Sequence, residues 1–65
     1  MNFREKARAK VKELDERMAE LNAMLDENTN PEQKEAIVDE ILSVAALTNK
    51  YLRIAGADES EMYDI

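Results

Sequence analysis

Six apolar side chains in the first part of the chain, Ala7, Val11, Leu14, Met18, Leu21 and Leu25, follow one another at steps of four, three, four, three and four residues. Steps averaging 3.5 residues keep a helix's apolar side chains in one line, and that line has to be covered by another helix. Most of the intervening positions are charged, so this helix would bury one narrow stripe and expose the rest. Met24 widens the stripe at its end. A fold for this chain must therefore begin with a helix and supply a second one to lie along it.

The stretch "LDENTNPEQKEAIVDEIL", residues 25 to 42, says where the second one starts. Asn28 or Thr29 is the expected stop of the first helix. Pro31 suits the first position of a new helix because its missing N–H would be unsatisfied there anyway. Asn30 before it is the expected N-cap, with Gln33 as the returning member of a capping box. Glu32 and Glu35 sit near the positive end of the helix dipole. The second helix should run to about Ala55, where Gly56 supplies a left-handed residue and Lys50 and Arg53 complement the negative end of the dipole.

Two helices of about 25 residues, each roughly 38 Å long at 1.5 Å per residue, match across a short connection. The expected fold is all-α: an antiparallel hairpin of helices at about 3–28 and 31–55, forming a domain over 1–56, followed by the acidic tail "ADESEMYDI" over 57–65. Two apolar lines compete on the second helix. One is Ile37, Ile41, Val44, Thr48 and Tyr51; the other is Val38, Ile41, Ala45, Thr48, Leu52 and Ala55, with Leu42, Leu47 and Ile54 outside both. This sector is wider than one narrow-striped neighbour can cover.

A chain of 65 residues buries little apolar surface, and small domains usually add disulfides, a metal or a partner. This one has no cysteine and no histidine. Disulfides are therefore excluded, and zinc loses its usual ligands. Self-association or a partner is the remaining aid, and self-association would give a homo-oligomeric helical bundle. Its expected interface draws Val11, Leu14, Met18, Leu21 and Leu25 from the first helix. From the second it draws Ile37, Ile41, Val44, Leu47 and Tyr51.

Charge is unevenly placed. Residues 1–17 carry a net +2 and residues 18–43 a net −6, with −6 for the whole chain. On an antiparallel hairpin the basic side chains gather at the open end and the carboxylates toward the connection. Two hairpins packed antiparallel would set opposite charges together. The tail's four carboxylates surround Met62, Tyr63 and Ile65, a pattern suited to docking an apolar tip near positive charge. Arg4, Arg8 and Lys12 are the expected contacts, on this chain or on a partner.

Chemistry has little to work with. Proton transfer near neutral pH most often uses histidine, and covalent catalysis needs a nucleophile beside a base; with only Lys34 and Lys50 as nearby lysines in the second helix, no nucleophilic dyad is expected at Ser43 or Ser60. Glu35 with Asp39, and Glu16 with Glu20, lie one turn apart, yet the di-iron pattern requires Glu-x-x-His. "DENTNPEQKEAI" lacks the central glycine of a calcium loop, and with one glycine in the chain there is no phosphate loop. No catalytic, cofactor-binding or metal-ligating residue is expected.

A two-helix hairpin with a short tail after a glycine resembles in layout the plasmid-encoded Rop family of RNA-binding proteins. That resemblance implies RNA contact through the basic first helix. Beyond an aromatic residue and several lysines no side chain matches, so no residue's role is carried over. A pI near 4.5 disfavours nucleic acid as a partner.

The expectation is a non-enzymatic helical protein acting by contact with itself and another protein, as a phage- or plasmid-type regulator or inhibitor of a host protein would. The alternatives are an acidic mimic of nucleic acid, a structural or assembly component such as a co-chaperone or minor particle protein, and a Rop-like RNA binder. No apolar run is long enough to span a bilayer, and "MNFREKARAK" has charges where a signal peptide needs an apolar stretch. A cytoplasmic location is expected.

Overall fold

The computed structural model describes residues 2–27 and 30–65, so the expected helix stop at Asn28 or Thr29 lies outside the described residues. Two long helices account for most of the chain: α1, Phe3–Glu27, and α2, Pro31–Ile54. A short 3₁₀ turn at Glu59–Glu61 follows. Among the described residues there is no strand.

Local chemistry fixes three of the four helix ends. At the start of α1, the Asn2 side-chain oxygen accepts the Glu5 N–H at 2.9 Å, and the Asn2 carbonyl accepts the Lys6 N–H at 3.0 Å. At the start of α2, the Asn30 side chain accepts from the N–H groups of Glu32 and Gln33, with Pro31 in the first turn. Both asparagines thus satisfy N–H groups that a helix start leaves without an intrahelical acceptor. The end of α2 is closed by a Schellman motif: the Ala57 N–H reaches the Leu52 carbonyl at 3.0 Å, and the Gly56 N–H reaches that of Arg53 at 3.1 Å. This closure needs a left-handed residue, which Gly56 supplies at φ 78.

The helices run antiparallel. Arg4 lies beside Gly56, and further along α1 Arg17 bonds Glu40, so the numbering falls along α2 as it rises along α1. The heptad line of α1 is the core line: Ala7, Val11, Leu14, Met18 and Leu21 are buried, and Leu25 is half-buried. Leu21 is fully buried. On α2 the buried residues are Ile37, Ala45, Thr48, Asn49 and Leu52, with Ala55 just beyond. Ile41, Val44 and Tyr51 are half-buried. The core line of α2 therefore takes the Ala45, Thr48, Leu52, Ala55 series but begins at Ile37, while Val38 stays 40% exposed.

Thr48 sits in the core because its hydroxyl donates to the Val44 carbonyl at 2.8 Å, which removes the cost of burying it bare. No buried side-chain nitrogen or oxygen lacks a partner among the described residues.

Candidate protein-interaction surface

After Gly56 the chain turns back along the hairpin instead of leaving it, and two contacts hold it there. The first is a charged pair. Arg8 Nη1 and Nη2 donate to the two Glu61 carboxylate oxygens at 3.0 and 3.5 Å. Hydrogen bonding to Arg8 holds the Glu61 carboxyl below its ordinary value and, reciprocally, holds the Arg8 guanidinium above its own, with charge attraction acting in the same direction on both. Both side chains are about half exposed, so water and salt screen the pair.

The second contact is polar and buried. Asn49, only 5% exposed, donates from Nδ2 to the Tyr63 carbonyl at 2.9 Å and accepts the Tyr63 N–H on Oδ1 at 2.8 Å. One side-chain amide thus meets both main-chain groups of one residue, as a neighbouring strand would. Neither main-chain group has a helix or sheet to satisfy it, so Asn49 supplies that pairing. A shallow cleft of ≈ 670 Å³ remains between this segment and α2, lined by Ala46, Arg53, Met62 and Ile65 among others. Its volume falls within the range of small-ligand sites, but one wall is the docked segment itself, and the cleft marks the seam where that segment lies on α2.

Of the residues expected to meet a partner, Arg8 takes Glu61, and Arg4 lies alongside Gly56. Lys12 is exposed and has no ion-pair partner among the described residues. Met62 is half-buried, while Tyr63 and Ile65 are 40% and 65% exposed. Of the ten side chains expected at an oligomer interface, Val11, Leu14, Met18, Leu21 and Ile37 are buried inside the chain's own hairpin. Leu25, Ile41, Val44 and Tyr51 are half-buried, and Leu47 is exposed.

Apolar surface left to solvent collects on α2. On the flank that carries the tail it comprises Val38 and Leu42, 40% and 50% exposed. On the opposite flank it comprises Leu47 and Ile54, 38% and 45% exposed. Phe3, at the open end, is 82% exposed. Arg17 links the helices on the Leu47 side, donating to Glu40 at 3.0 and 3.1 Å and to Glu20 at 3.1 Å. Hydrogen bonding to Glu40 first, then to Glu20, raises the Arg17 pKa.

No group of three or more histidine, cysteine, aspartate or glutamate side chains suited to a metal ion occurs among the described residues. No helix of the described residues is long and apolar enough to cross a membrane. No protein-family model, curated protein or solved structure matches this chain.

The sign of the Glu61 shift sets a pH dependence. A carboxyl whose folded pKa is depressed contributes above its ordinary value, near 4.5, and loses that contribution as pH falls through the depressed one. The Tyr63 amide resonance should therefore hold its position from pH 7 to about pH 5 and move toward an undocked position in more acid solution. Glu61→Gln at pH 7 should reproduce part of that movement. An amide resonance indifferent both to acid and to the substitution would show that the pair does not hold the segment.

Proposed function

We propose that the protein is a non-catalytic contact module of the cytoplasm: a helical hairpin that works by binding protein, itself included, as a regulator or inhibitor of another protein would. The observation that carries this reading is the apolar surface of α2, where Val38, Leu42, Leu47 and Ile54 are all at least 38% exposed beside a core that already uses the stripe of α1. Apolar side chains exposed on both flanks of one helix exceed what a single neighbouring helix covers and mark that helix for further contact. Ser43 and Ser60, the chain's only serines, are both exposed, and with no histidine or cysteine in the chain neither has a conventional base to activate it.

Leu42→Glu/Leu47→Glu tests this, because both side chains are exposed and the hairpin core is untouched. Immobilised native chain should retain bound protein from its cell of origin that the double variant, equally helical by circular dichroism, does not retain. Equal recovery on the two would remove α2 as the contact surface and the reading with it.

A further inference from the structure

On the outer flank of α2, Ala36, Glu40, Ser43, Leu47, Lys50 and Ile54 recur at steps of four, three, four, three and four residues. All six are exposed. Such steps place them in one line along the helix, a second heptad line facing away from the docked tail. A line of this spacing is what one helix offers another along its length.

The order of residue types along the line is palindromic in size and charge. Read from its two ends, Ala36 corresponds to Ile54, Glu40 to Lys50, and Ser43 to Leu47. We propose that a second copy of this chain docks here, with the two α2 helices antiparallel about a two-fold axis near Ala45. In that register Ile54 of each copy fills the space above Ala36 of the other, Leu47 meets Ser43, and Glu40 meets Lys50. Each small side chain admits a large one, and each charge meets its opposite, twice over by symmetry.

Parallel pairing fails on the same residues. It would set Glu40 against Glu40 and Lys50 against Lys50, and would stack the large side chains while leaving the small ones facing each other. An unrelated partner would need no palindrome, because only an isologous contact makes the line complementary to itself. Glu40 already accepts from Arg17 within its own chain, so Lys50 of the second copy would join an existing charged group. On the tail flank the docked segment lies beside Asn49 and Arg53, where it would obstruct a helix approaching along the Val38 and Leu42 side. The outer flank is clear of it.

This pairing rests on the reading of α2 as a contact surface and names its occupant. Sedimentation equilibrium of the full chain between about 1 µM and about 1 mM should show mass rising from one chain to two. Leu47→Glu should stay monomeric throughout, and Ser43→Glu, on the same line at an exposed position, should weaken the dimer if the first variant proves poorly helical. Lys50→Glu should weaken it by about tenfold, since two attractive pairs become repulsive. Glu40→Lys/Lys50→Glu should recover most of the loss. Leu42→Glu, on the other flank, should leave the dimer unchanged.

A native chain that stays monomeric to the highest concentration overturns the pairing, even where it still captures another protein through α2 and the broader reading stands. A dimer broken by Leu42→Glu but not by Leu47→Glu overturns it too. A dimer indifferent to Lys50→Glu excludes the antiparallel register.

Discussion

Leu21→Ala should destabilise the hairpin by about 2–4 kcal/mol, enough to leave a 65-residue chain largely unfolded near physiological temperature. Leu21 is 0% exposed, between Met18 and Leu25 on the stripe α1 offers to α2. Removing its isobutyl group forfeits the burial of that apolar area and leaves a cavity that two rigid helices can close only in part. Met24→Ala is the matched control. It removes a side chain of similar size, one turn away on the same helix, from a position that is 45% exposed. Its cost should stay under about 1 kcal/mol. Thermal and urea unfolding of both variants at low micromolar concentration, where self-association contributes least, separates the two sites. Comparable losses would mean that the α1 stripe is not what holds the hairpin together.

The contrast between Leu21 and Met24 shows which parts of the fold the sequence makes legible. A narrow stripe on a charged helix has one possible phase, so α1's buried residues follow from spacing alone. The wide apolar sector of α2 has several phases. Ile37 and Val38 are adjacent, both branched and apolar, and the phase at which α2 faces α1 buries Ile37 and leaves Val38 40% exposed. Helix ends are legible where a residue acts on the backbone beside it. Asn30, Pro31 and Gly56 act this way, and so does Asn2, whose side chain accepts the Glu5 N–H three residues later.

Contacts that depend on the path of the chain are not legible. Arg4, Arg8 and Lys12 form one basic line on α1, and nothing in their spacing says which one meets a carboxylate. The choice of Arg8 follows from the Schellman closure at Gly56, which sends the chain back at an angle that brings Glu61 to it. Asn49 left a signal of another kind. An amide within "LTNKYL", between core residues Thr48 and Leu52, must either face water or find partners for both its donor and its acceptor. The sequence poses that requirement, and the fold meets it with the main chain of Tyr63, 14 residues away.

Asn49→Ala should cost about 1–3 kcal/mol in the intact chain. The substitution removes both hydrogen bonds to Tyr63, so the segment either stays with its N–H and carbonyl unpaired against α2 or leaves and gives up the contacts of Met62. In a chain ending at Ala57, which keeps Gly56 and the helix closure, the same substitution should cost almost nothing or stabilise slightly. There Asn49 has only water to bond, and alanine is the better helix former. The difference between the two backgrounds is the coupling of Asn49 to the tail, and it should reach about 1 kcal/mol or more. At neutral pH Asn49→Asp should cost at least as much as alanine, because a carboxylate can accept the Tyr63 N–H but sets its second oxygen against the Tyr63 carbonyl and buries a charge there. Urea unfolding of the four chains in the cycle gives the coupling, and hydrogen exchange at the Tyr63 amide reports the segment directly, with protection expected only where Asn49 is present. Equal losses in the two backgrounds would place the role of the Asn49 amide within α2 and leave the Arg8–Glu61 pair as the contact that holds the segment.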